Sequence, residues 1–236
     1  MGAKLGETHV HEKLMGGRGR FLTLEGGEGA GKSAQARRLA AALRERGLRV
    51  TLTREPGGSP HAEALREIIL SGEAAKFGAG AEALLFSAAR IDHIDTIIEP
   101  ALARGEWVIS DRFADSTRAY QGAAGRLDRA FIRRLEQVAV GDRRPDLTLV
   151  LDLPPEQGLA RAKARRGSDA ADRFESEGPA FHRTLREAFL AIAREEPERC
   201  VVIDAGRAEP EVAEAIWSVV VERFGAHLDA AEKLAK

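Results

Sequence analysis

A doubly wound α/β domain on a five-stranded parallel sheet is the fold this sequence predicts, and three observations predict it. Five short apolar runs rich in Val, Ile and Leu recur along the chain, each bounded by polar or glycine positions, as strands buried on both faces require. Helical patterns separate them, so each strand can return parallel to the last through a helical crossover. The 236 residues show no internal repeat and no linker, which leaves room for one α/β domain of the larger sort.

Residues Met1 to Arg18 carry mixed charges and glycines without an apolar period and read as a disordered leader. The domain is expected over 19–225. Strands are predicted at Phe21–Glu25, Val50–Arg54, Trp107–Ser110, Leu147–Asp152 and Cys200–Asp204. Between the first two lies a helix over Lys32–Arg46, stopped by Gly47. Ser59-Pro60 reads as an N-cap with proline at the first helical position, opening a helix to about Leu70. Ala81–Arg104 is long and apolar enough to bury more than one stripe, with an interruption near Pro100. Helices over Leu127–Val140, Pro155–Arg166, Pro179–Glu195 and Pro210–Phe224 complete the set, and 226–236 reads as a frayed C-terminal tail.

The net charge of −1 argues against a field that would gather a nucleic acid polymer or an anionic membrane, so any anionic ligand must be held by local charge. No apolar stretch approaches the length of a membrane span, and the N-terminus has no signal-peptide run. The single cysteine, Cys200, lies in an apolar run and reads as a small buried hydrophobe. A reducing, cytoplasmic setting is the expectation.

The loop after the first strand is Gly26-Gly27-Glu28-Gly29-Ala30-Gly31-Lys32-Ser33, the pattern of a phosphate-binding P-loop in its strand-to-helix context. Glycines let successive backbone N–H groups converge on phosphate oxygens, and the helix that follows adds its positive end. Lys32 is placed to bridge the β- and γ-phosphates of ATP, and Ser33 to ligate Mg²⁺. The fold is therefore expected to be that of the P-loop NTPases. The loop alone does not choose among kinases, switches and partitioning ATPases. At the end of the third strand, Asp111 stands where a carboxylate meets Mg²⁺ or its water shell, and Arg112 beside it offers a fork for a second phosphate. Thr53-Arg54-Glu55-Pro56-Gly57-Gly58 leaves the second strand in a sharp turn.

With these motifs in view, the chain resembles the bacterial thymidylate kinases from about Arg20 to Phe224. The resemblance is carried by EGGEGAGKS at 25–33, TREPGG at 53–58, FSAAR at 86–90, DRFADSTRAYQG at 111–122 and RPDLTLVLDL at 144–153. It implies transfer of the γ-phosphoryl group of ATP to dTMP with Mg²⁺, in a homodimer built near Ala81–Arg104, and a mobile lid. Phe86 would stack on thymine and Arg90, one turn later, would bond a base carbonyl; read without the family, Phe86 is an aromatic on an apolar helix and belongs to the core. Arg112 and Arg66 would hold the acceptor phosphate and nearby atoms, and Glu55 and Glu28 would surround the sugar and the transferred group. Thr117 and Gln121 would contact the base, while Tyr120 would pack on the sugar and disfavour a 2′-hydroxyl. Family members with glycine after the P-loop acid, as Gly29 here, take the catalytic arginine from the lid, about 164–175. Arg165 aligns best with it, ahead of Arg161, Arg166 and Arg173. The nearest rival is a kinase for another nucleoside monophosphate or a deoxynucleoside. A P-loop switch acting through a partner protein is the rival of another class, and it has no use for the TREPGG and DR…YQG segments.

Overall fold

The computed structural model describes residues 18–167 and 173–234. Residues 1–17 of the expected leader and 168–172 of the expected lid lie outside the described residues. The elements run β1 (Phe21–Glu25), α1 (Lys32–Glu45), β2 (Val50–Arg54), α2 (Pro60–Leu70), a 3₁₀ turn (Glu73–Phe77), α3 (Gly78–His93), a π-helical turn (Ile94–Ile98) and α4 (Glu99–Ala103). There follow β3 (Trp107–Asp111), α5 (Ala114–Thr117), a second π-helical turn (Arg118–Ala124), α6 (Arg129–Ala139), β4 (Leu147–Asp152), α7 (Pro155–Arg166), α8 (Pro179–Glu195), β5 (Cys200–Asp204) and α9 (Glu209–Leu234).

All five strands are parallel, in the order β2-β3-β1-β4-β5. β1 lies at the centre, where the strand order reverses, so the loop leaving its carboxyl end opens into the crevice that binds ligands in such sheets. The central strands β1, β3 and β4 are buried almost throughout, whereas β2 and β5 are only partly so because they form the edges. The alternation along β1 sorts the core into two layers. Leu22 and Leu24 join Leu39, Leu43, Ile216 and Val220 under α1 and α9. Phe21 faces the other layer with Ile94, Ile98, Val108 and Phe113. Thr23, on the same side as Phe21, is fully buried, and its hydroxyl pairs with that of Thr148 at 2.8 Å, as a buried polar group must.

Three expectations need correction. The helix predicted over Ala81–Arg104 starts earlier, at Gly78, and changes to π geometry over Ile94–Ile98 before Pro100; proline cannot donate to the carbonyl four residues back and its ring crowds it, so the ladder slackens there. The segment after Asp111, left without an assigned element, is helical through Ala124. The last helix does not stop at Phe224: it runs through Gly225 to Leu234, because Phe224 packs edge-on against Trp107 at 5.3 Å, Leu228 is buried, and His227 meets Arg20. Cys200 is buried as expected, and burial pushes its thiol up to about 12.

Candidate functional site

The P-loop closes a cavity at the carboxyl end of the sheet whose walls include Lys32, Ser33, Asp111, Arg112, Tyr120 and Phe86. On the loop side, Lys32 is buried and its Nζ donates to the carbonyls of Gly26 at 3.1 Å and Gly27 at 2.7 Å. Burial, reinforced by the nearby Arg112 charge, lowers its ammonium to about 8. Ser33 Oγ donates to Asp111 Oδ2. A hydroxyl and a carboxylate thus share one point beside the loop, a pair of hard oxygens of the kind Mg²⁺ accepts alongside phosphates and water. The backbone turns by left-handed glycines, with Gly29 at φ 67° and Gly31 at φ 88°. At Gly29 glycine is needed for a second reason: a Cβ would fall 1.9 Å from the carbonyl oxygen of Gly158, on α7. Gly26, Gly27 and Ala30 complete the loop without lining the cavity.

Glu28 is the hub between the two halves. It accepts from Arg112 at 2.8 Å and from the Tyr120 hydroxyl at 2.5 Å. Burial opposes its charge, yet Arg112 and Lys32 outweigh burial and hold the carboxyl down at about 2. The Arg112 guanidinium also donates to the Gly26 carbonyl at 3.1 Å and lies 5.0 Å from the centre of the Tyr120 ring, within cation–π range.

On the acceptor side the cavity floor is a buried network. Glu55 accepts Arg90 Nε at 2.8 Å, and His93 Nδ1 lies 3.0 Å from its other oxygen. Arg90 also donates to Thr117 Oγ1 at 3.1 Å and to the Phe113 carbonyl at 3.2 Å. Arg90 stands behind the cavity lining, while Glu55, Thr117 and Gln121 line it. Gln121 is buried, and its Nε2 has no hydrogen-bond partner among the described residues, so a donor faces the cavity region uncompensated. Arg66 donates to the Pro56 carbonyl at 2.6 Å, at the turn after a cis Glu55–Pro56 peptide. Gly58 there has φ 90°, and a Cβ would meet Thr53 Oγ1 at 2.5 Å and His93 Nε2 at 2.7 Å. Phe86 is half-buried, 6.1 Å from the Phe174 ring. It therefore belongs to the core and to the cavity wall at once.

At the rim, Arg165 lines the cavity while two-thirds exposed, 3.6 Å from Glu175. Arg166 pairs with Glu175, and Arg173 with Glu177 and Glu82. Arg161 is turned away, donating to the Ala205 carbonyl at 2.9 Å. The fold thus brings the predicted side chains to or immediately behind one cavity, apart from Arg161, Arg166 and Arg173, which do not line it. Sequence reasoning missed Glu25, His93 and Gly158. Glu25 carried a signal, a charge ending an otherwise apolar run; His93 and Gly158 carried none, since their importance comes from partners distant in sequence.

A P-loop with a paired hydroxyl and carboxylate, facing an arginine and an aromatic pocket across one cavity, defines a nucleotide kinase of the P-loop fold. The family model for thymidylate kinase matches residues 24–216. A thymidylate kinase from Rhodopseudomonas palustris is 61% identical over 204 residues, covering 86% of this chain and 89% of its own length. One from a Bradyrhizobium species is 56% identical over 208 residues, covering 88% and 92%. The crystal structure of the thymidylate kinase from Ehrlichia chaffeensis superposes with a TM-score of 0.68 at 32% identity, covering 86% of this chain and 98% of that one. The chain belongs to the thymidylate kinase family, and is thus a nucleoside monophosphate kinase.

Proposed function

We propose that this kinase, which passes the γ-phosphoryl group of ATP to dTMP, does so across the cavity between the P-loop and Phe86, with Arg112 as the cation that receives the acceptor phosphate beside the loop. The observation that carries this reading is the position of Arg112: its guanidinium joins the loop carbonyl of Gly26 to Glu28 and Tyr120. The P-loop amides, Lys32 and the helix end of α1 bind the triphosphate. Arg112 and Arg66 receive the acceptor phosphate, Phe86 stacks on the base, and Thr117, Gln121 and Arg90 address its edge, Arg90 from behind Thr117. Tyr120 and Glu55 border the sugar. Ser33 and Asp111 would hold Mg²⁺, which would supply charge neutralisation on the phosphate oxygens. These groups align two anions, offset their charge and exclude water, and no covalent enzyme intermediate is required. Arg165, near the end of α7, completes the charge during transfer.

The kinase domain extends from residue 19 through α9, and its setting is cytoplasmic. No helix among the described residues is long and apolar enough to cross a membrane. The chain works as a homodimer through α3, which exposes Leu84 and Ile91, seven residues apart on one face, at 55% and 39%. A coupled assay of ADP release across dTMP, dUMP, dCMP, dGMP and AMP tests the acceptor assignment. dTMP is expected to be turned over with the highest kcat/KM; preference for another monophosphate overturns it.

A further inference from the structure

At the end of β1 stands a carboxylate with no part in the reaction described above. Glu25 is fully buried, and both of its oxygens are engaged by one short segment of chain. Oε1 accepts the N–H of Phe113 at 2.8 Å and that of Ser116 at 3.2 Å, and Oε2 accepts the Ser116 hydroxyl at 2.6 Å. None of its hydrogen bonds goes to a P-loop residue. Burying a carboxylate in a strand that packing alone would fill with an apolar side chain is costly, so its return must lie in what it holds.

What it holds is the turn that carries Arg112. That residue has φ 72°, in the left-handed region, where a residue with a side chain persists only if its surroundings over-determine it. Its own amide donates to the Leu24 carbonyl at 3.0 Å, so β1 grips the backbone just before the bend and Glu25 grips it just after. Asp115, in the same turn, is clamped in its turn by Arg199 at 2.7 Å and Arg118 at 3.0 Å. With the turn fixed, the guanidinium arrives at the Gly26 carbonyl and Glu28.

We propose that Glu25 is a positioning residue for acceptor-phosphate recognition: through the amides of Phe113 and Ser116 it keeps Arg112 in its left-handed conformation, with the guanidinium presented to the acceptor cavity. The inference rests on the reading of Arg112 as the acceptor-phosphate ligand. It predicts a loss confined to ligands that carry that phosphate, because the side-chain hydrogen bonds of Glu25 all go to the turn after Arg112 and none to the P-loop or the base pocket.

The experiment compares dTMP with thymidine, which lacks the phosphate, and with ATP, in Glu25→Ala, Glu25→Asp, Glu25→Gln and Arg112→Ala. Equilibrium affinities for the three ligands are measured on folded protein. Loss of hydrogen bonds that orient a charged group is expected to weaken dTMP by roughly 10–100-fold in Glu25→Ala and Glu25→Asp, with thymidine and ATP changed by less than about threefold. Glu25→Gln should recover most of the dTMP affinity, since its amide oxygen still accepts both N–H groups and Ser116 can reverse its hydroxyl. Should Glu25→Ala not fold, Glu25→Asp decides, its shorter arm being unable to span both amides. If Arg112→Ala fails to separate dTMP from thymidine, the reading of Arg112 is wrong. If Arg112→Ala separates them and Glu25→Asp does not, or if all three ligands weaken together, the positioning role is wrong.

Discussion

The floor and the rim of the same cavity are built in opposite ways. On the floor, Glu55, Arg90, Thr117 and His93 are buried and bonded to one another. At the rim, Arg165 is two-thirds exposed and 3.6 Å from a carboxylate, a pair of the sort that contributes little to stability. Preorganised groups recognise a ligand that arrives in a fixed shape, whereas a loosely held cation can be reserved for charge that exists only during transfer. The floor should therefore fail through stability and binding, and the rim through rate.

The sharpest break is at the rim. Arg165→Ala should lower the single-turnover rate by about 10³–10⁵-fold, the worth of an arginine finger, with KM values and melting temperature nearly unchanged. Arg161→Ala, Arg166→Ala and Arg173→Ala should each be milder; a larger fall in one of them reassigns the finger. On the floor, Arg90→Ala leaves Glu55 buried without its cation and should cost about 3–5 kcal/mol of stability, a drop in melting temperature on the order of 10 °C for a chain of this size. A Tm loss no greater than that of Arg165→Ala would erase the contrast.

The two glutamates that bracket the start of the P-loop sharpen it by pH. Glu25 is pushed up to about 7, first by burial and then by Asp115. Its folded form binds a proton that the unfolded chain has released, so stability should fall as pH rises from about 4.5 to 7. Glu28, held down at about 2, acts in the other direction and in another window: its contribution is present above about 4.5 and is lost as pH falls toward 2. Denaturant titrations of wild type and Glu25→Gln should differ in slope between pH 4.5 and 7 and coincide below it. The smallest effect belongs to Phe86, which is shared by floor and core. Phe86→Ala should weaken dTMP by about 1–3 kcal/mol and leave ATP affinity unchanged; a fall in Tm with dTMP affinity intact would make Phe86 core alone.

Much of this was legible in the amino-acid order. The strand runs and the starts of α2, α7 and α8 could be read because apolar patterning and proline at a first helical turn are local signals. The P-loop and the DR…YQG segment could be read because their chemistry is contiguous. Local signals failed where packing decided. Gly225 did not end α9, since Phe224 and Leu228 find partners on either side of it. Arg90 shares a helix face with Phe86 but is drawn behind the lining by Glu55, thirty-five residues away. Glu25 looked like the polar end of a strand, and only the turn that folds over it reveals the two amides and the hydroxyl that its carboxylate accepts.

The contact between Gly29 and Gly158 has a mechanical consequence. Two backbones touching without side chains between them make a pivot, and α7 is a lever mounted on it. Arg165 lies seven residues beyond Gly158, a reach of about 10 Å along the helix at 1.5 Å per residue. A tilt of about 10° at that pivot carries the end of the helix by roughly 2 Å, the difference between a guanidinium in contact with an oxygen and one that is not. Any tilt of α7 about that contact is thus magnified at Arg165.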